Sequence, residues 1–211
     1  MKRILCFGDS NTYGYIPDGS GRYGADIRWT GILQNKLADR AVVIEEGLCG
    51  RTTVFQDALR CGRRGADLLP VLLESHTPLD LVIVMLGTND CKTVYGASAE
   101  VIGKGIRQLI GQIRTHAPKA EILLLSPIWL GEDVWRQEYD PEFCQESVLT
   151  SKRLKEIYRG IAEENHCLFL AASDVAQPSA IDQEHLDADG HGMLAAAVYE
   201  MVTDAVSLLP V

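Results

Sequence analysis

Apolar, β-branched runs recur along the chain at about 3–7, 41–45, 80–86, 121–126 and 166–170. Each is short and nearly continuous, which is the pattern of parallel strands covered on both faces. Between them lie stretches of helical period at about 29–38, 64–75, 98–116, 146–165 and 190–208. In the fourth of these, Leu149, Leu154, Ile157, Ile161 and Ala162 approximate one apolar stripe, with Lys152, Lys155, Glu156 and Glu163 elsewhere. Pro118 closes the third and launches the next strand. Five strands alternating with helices predict an α/β protein, a flavodoxin-like three-layer α/β/α domain around a five-stranded parallel sheet. The pattern runs from end to end without repeats, so a single domain over 1–211 is expected. The longest irregular stretch, about 127–145, carries two of the three tryptophans. A loop of that length either packs on its own aromatics or serves a site or an interface with a second copy.

Composition narrows the partners. The formal net charge is −9, which argues against nucleic acid or an anionic membrane, since both require clustered Lys and Arg. The one dense basic run, Arg60 to Arg64, is short and reads as a solvated loop or helix start. Six cysteines include no CxxC pair, and Cys6 and Cys167 sit inside apolar runs as expected buried thiols. No His/Cys/Asp cluster has metal-ligand spacing, so neither a metal nor a cofactor is expected. The apolar start is too short for a signal peptide, and no stretch reaches the roughly 20 residues of a membrane helix. A cytoplasmic protein is the expectation.

Ligands of such sheets bind beyond the carboxyl ends of the strands. There the sequence places Gly8-Asp9-Ser10-Asn11, then EGLCGRTT (46–53), GTNDCK (87–92), SPIW (126–129) and a last segment reaching Asp182 and His185. These residues fit one reaction. Ser10 would attack an acyl carbon, but a free hydroxyl is a poor nucleophile and needs a base. His185 can supply it, with Asp182 three residues earlier to orient the imidazole. The backbone N–H groups of Ser10 and Gly50 and the side-chain amide of Asn89 are candidate oxyanion donors. Asp9 would shape the turn and Asp90 would brace its loop. Arg28, Arg51 and Thr52 are read either beneath the site or on the surface. Tyr13 and Trp129, with Trp135, would narrow the pocket toward short acyl groups, and Asn11 is counted with the pocket residues.

FGDSNTYG, GLCGRTT, GTND and DQEHL resemble blocks one, two, three and five of the SGNH, or GDSL-type, hydrolases, in that family's order. RILCFGDS, IRWTGIL and PLDLVIVMLGTND resemble the bacterial arylesterase subgroup. Carried over by motif, the resemblance implies Ser10 as nucleophile, Asp182 and His185 as its partners, and Gly50 and Asn89 in the oxyanion hole. It further implies a small-molecule ester as substrate, acyl transfer to water or peroxide, and self-association. The chain departs from the family at Asn11, where leucine is usual, and at Gln183-Glu184, where a glycine more often follows the aspartate. Glu184 beside the histidine is expected to alter the local field and the substrate charge preference.

Other readings stay open at this stage. His191 rivals His185 as base, although DGHGMLAAAVYEMV reads as the start of the last helix, capped by Asp187 or Asp189. Cys49 or Cys91 could stand in for the serine, but no histidine lies near either in sequence. The same motifs serve a carbohydrate acetylesterase, a lysophospholipase or a thioesterase. A non-enzymatic flavodoxin-like module would hold phosphate or flavin at the first loop.

Overall fold

The computed structural model describes residues 1–208, with side chains described through residue 203. Residues 209–211, part of the expected domain, lie outside the described residues. Five strands, β1 (Lys2–Gly8), β2 (Ala41–Gly47), β3 (Leu81–Met85), β4 (Glu121–Ser126) and β5 (Leu168–Ala171), form one sheet in the order β2-β1-β3-β4-β5. All neighbouring pairs are parallel. The helices are α1 (Ser10–Tyr13), α2 (Trp29–Leu37), α3 (Gly65–Ser75), α4 (Ala99–His116), α5 (Gln145–Glu164) and α6 (Ala188–Leu208). The expected three-layer α/β/α fold is present, with element boundaries close to those in the pattern. Among the described residues no helix is long and apolar enough to cross a membrane.

The continuity of the strand runs has a direct cause. Ile4 and Cys6 face α2 and α6, while Leu5 and Phe7 face α3, α4 and α5, so both faces of β1 are buried. Ile83 and Met85 of β3 repeat the first placement, Val82 and Val84 the second. Trp29, Leu33 and Leu37 of α2 pack beside Leu194, Val198 and Val202 of α6. Helix α5 differs in detail from the expected stripe. Leu149 is 54% exposed, and Val148, Leu154, Tyr158 and Ile161 form the buried face. Cys6 is buried as expected, but Cys167 is only half-buried, because it precedes the edge strand β5.

Two glycines place the first loop. Gly8 and Gly47 are register partners at the ends of β1 and β2. A Cβ on Gly8 would overlap the Thr12 side chain, and one on Gly47 would overlap the backbone of Thr12 and Tyr13. Their absence lets the turn of α1 sit directly on the sheet end. The segment 127–144 packs inward through Leu130, Val134 and Phe143 while turning Tyr139 toward the end of the sheet that carries Ser10. The loop is thus anchored on the core and contributes Tyr139 to the cavity.

Candidate active site

Ser10 is the first residue of α1 and is 4% exposed. Asp9 caps the helix by accepting the Asn11 N–H at 3.0 Å. His185 lies 175 positions away in the chain, yet its Nε2 is 2.8 Å from Ser10 Oγ. Its Nδ1 is 2.6 Å from Asp182 Oδ2. The other carboxylate oxygen of Asp182 accepts the backbone N–H groups of Glu184 and His185, each at 3.0 Å. The D-x-x-H segment thus closes on itself, with the aspartate holding the histidine by main chain and ring together.

A hydroxyl bonded to an imidazole that a carboxylate orients can pass its proton to that ring as it attacks an acyl carbon. Burial alone would lower the pKa of His185. The surrounding carboxylates of Glu184, Asp182 and Asp9 outweigh it and hold the ring above its usual 6.5.

The donors stand on neighbouring strand ends. Gly50 adopts φ +80°, a left-handed conformation that its missing Cβ permits. Among the described residues the amides of Ser10 and Gly50 make no hydrogen bond within the chain. Asn89 is 3% exposed, and its Nδ2 donates to Arg51 O at 3.2 Å, which fixes the amide plane. Arg51 itself is buried beneath the loop, donating to Gly8 O at 2.9 Å and to Glu46 O, with its guanidinium over the Phe7 ring. Asp90 accepts from both the backbone and the hydroxyl of Thr53, tying the third loop to the second. Thr52 bonds Phe55 O, while Arg28 pairs with Glu45 at 2.8 Å.

A cavity of about 460 Å³ opens over these groups, lined by Ser10, Tyr15, Asn89, Tyr139, Glu184 and His185 among others. The Tyr15 ring packs 4.6 Å from the His185 ring, centroid to centroid. Four expected pocket residues are absent from its lining. Asn11 is buried and clamps the histidine loop instead, accepting from Leu186 N at 2.8 Å and donating to Glu184 O at 3.4 Å. Tyr13 stacks under the Arg22 guanidinium. Trp129 lies beside Lys152, since it follows β4 on the α5 side of the sheet. Trp135 packs on the core and also stays out of the cavity. The residues that do shape it, Tyr15, Lys92 and Tyr139, carried no motif. Glu184, which also lines it, is singled out in the sequence by its place beside the histidine.

The rival assignments separate cleanly. His191 is fully buried in α6, where its Nδ1 accepts the Trp29 N–H at 3.3 Å, and burial pushes its pKa down to about 4. Asp187 is the cap of α6, accepting from Gly190 N at 2.8 Å. The other histidines face carboxylates or turns: His76 meets Glu46, His116 meets Glu74, and His166 sits in a positive-φ turn before β5. Burial raises the thiol pKa of both Cys49 and Cys91, and Cys91 donates to Gly87 O. Among the described residues no three His, Cys, Asp or Glu side chains come together as a metal ion would need.

The sequence profile of the GDSL-like Lipase/Acylhydrolase family matches residues 6–199. Comparison with curated proteins gives no significant match. Among solved structures, a carbohydrate acetylesterase family member from Sinorhizobium meliloti is 37% identical, with a TM-score of 0.91 over 99% of this chain and 100% of its own. The native aryl esterase of M. smegmatis is 34% identical, with a TM-score of 0.89 over 97% and 100%. Est24, a carbohydrate acetylesterase from Sinorhizobium meliloti, is 35% identical, with a TM-score of 0.90 over 97% and 99%. Motifs, fold and full-length likeness agree: this chain belongs to the GDSL-like lipase/acylhydrolase family and is a carboxylic ester hydrolase.

Proposed function

We infer that the protein is a serine esterase acting through a Ser10–His185–Asp182 triad on small esters with short acyl groups. The observation that carries this is the continuous hydrogen-bonded line from Asp182 Oδ2 through the His185 ring to Ser10 Oγ. In the first half-reaction Ser10 Oγ bonds to the ester carbonyl carbon while His185 Nε2 takes the hydroxyl proton. The unpaired N–H groups of Ser10 and Gly50, with the Asn89 amide, receive the developing oxyanion. Collapse expels the alcohol, which leaves with the proton from Nε2, and the acyl group stays on Ser10. Water then reverses the sequence and frees the acid.

The cavity wall bears on the substrate. Arg60, Lys92, Asp140 and Glu142 line it, so it offers charge and hydrogen bonds rather than an apolar channel for a long acyl tail. This favours a short acyl group on a polar alcohol, and it makes an acetylated carbohydrate the second reading beside an aryl ester. The Ser10→Ala variant should lose activity on 4-nitrophenyl acetate by a factor on the order of 10³ or more. Retention of wild-type turnover would remove the serine assignment, and faster hydrolysis of the decanoate than of the acetate would remove the short-acyl reading.

A further inference from the structure

Glu184 is a carboxylate in an unusual position. Its residue is 7% exposed, and its side chain lines the cavity over Ser10. Its backbone N–H is spent on Asp182 and its carbonyl on Asn11. The carboxylate oxygens make no hydrogen bond among the described residues. Lys92, a cation that acts on it, is already paired with Glu142 and stands 3.9 Å from Asp140. Because the carboxylate faces the cavity, its oxygens are open to a hydrogen-bond donor that arrives from solvent.

The geometry identifies that group. Glu184 Oε1 lies 3.9 Å from His185 Nε2, the nitrogen that meets Ser10. Two acceptors about 4 Å apart can share one water molecule, each at an ordinary hydrogen-bond distance of about 2.8 Å. In the resting site Nε2 is engaged by the Ser10 hydroxyl. Once Ser10 carries an acyl group that hydroxyl proton is gone, and Nε2 is free to accept from water. We propose that Glu184 is a second catalytic carboxylate, which holds the hydrolytic water against His185 Nε2 during deacylation.

The step rests on the Ser10 acyl-enzyme inferred above. One O–H bond of the water breaks, its proton passes to Nε2, and its oxygen bonds to the acyl carbon. The second hydrogen of that water stays bonded to Glu184 Oε1 throughout. The tetrahedral adduct then breaks its bond to Ser10 Oγ, which takes the proton back from Nε2, and the acid departs. The role needs an acceptor, hence an ionised Glu184. Burial raises its pKa, His185 and Lys92 oppose that rise, and Asp140 and Asp182 add to it.

An alcohol provides the test, because it has only one O–H. That hydrogen must go to Nε2, so an attacking alcohol gains nothing from Glu184, whereas water does. Wild type, Glu184→Val and Glu184→Gln are compared on 4-nitrophenyl acetate with methanol present, and acetate and methyl acetate are both quantified. The valine variant should hydrolyse the acyl-enzyme about tenfold more slowly, the worth of one hydrogen bond to a charged group. Methanolysis should hold, so the methyl acetate to acetate ratio should rise by a similar factor. The glutamine variant keeps the size of the side chain and should move the ratio the same way by less, so the proposal stays testable if the valine variant does not fold. An unchanged ratio in a folded variant overturns the proposal, since a merely structural role, or a change in His185 basicity, would slow both acceptors alike. The Ser10 reading has a separate readout, covalent labelling of Ser10 by a phosphonate, which does not require Glu184.

Discussion

At the scale of single residues, the site is governed by carboxylates around one imidazole. His185 touches Asp182 at Nδ1 and faces Glu184 on the Nε2 side, with Asp9 adding a longer-range pull. The sign of the resulting pH dependence follows. In the proposed mechanism His185 works as base only when neutral, and the carboxylates favour its protonated form. The acid limb of kcat/KM should therefore lie above pH 6.5, with activity lost as pH falls through it. Glu184→Gln should move that limb toward lower pH, and a limb that stays in place when kcat/KM is profiled would separate Glu184 from the His185 charge. Asp9 is itself pushed up to about 7, mainly by burial, so it shares this pH range while remaining the cap of α1.

At the scale of elements, the first loop and the histidine loop form one unit. Gly8 and Gly47 let α1 rest on the sheet end, and Asn11 in α1 ties down the backbone on both sides of His185. Asn11→Ala would leave the buried Leu186 N–H without a partner. It should destabilise the protein by about 1–3 kcal/mol and lower kcat by loosening the histidine, as urea unfolding and steady-state kinetics would measure. Much of this level was legible beforehand. The strands appear as continuous apolar runs because both faces of the sheet are covered, and the start of α6 is legible with Asp187 or Asp189 as cap, of which the structure selects Asp187. The α5 stripe was misread at Leu149 because Val148, one position earlier, turns inward, and periodicity alone fixes the buried face only to within about one residue. The pocket role given to Asn11, Tyr13 and Trp129 failed for a related reason: proximity to a strand end does not fix the direction of a side chain.

At the scale of the whole molecule, α2 and α6 share one buried layer, and His191 is a titratable group inside it. Its folded-state pKa of about 4 lies below the unfolded value near 6.5. Between those values the unfolded chain binds a proton that the native state refuses. The His191 contribution to stability is therefore intact above pH 6.5 and is lost as pH falls toward 4, by roughly 3 kcal/mol in all. His191→Asn keeps an acceptor for the Trp29 N–H and does not titrate. The difference in unfolding free energy between variant and wild type should shift in the variant's favour by that order between pH 7 and 4, read from denaturant midpoints at each pH.

The sequence by itself determined the alternation of strands and helices and singled out Ser10, Asn89, Asp182 and His185 as candidates, because burial period and motif spacing are local properties of the chain. Only the tertiary structure decided that the imidazole at 185 meets the hydroxyl at 10, that Asn11 is a clamp and that Glu184 opens onto the cavity. Those relations join positions about 175 residues apart, and the folding of both loops onto one end of the sheet is what brings them within hydrogen-bond reach.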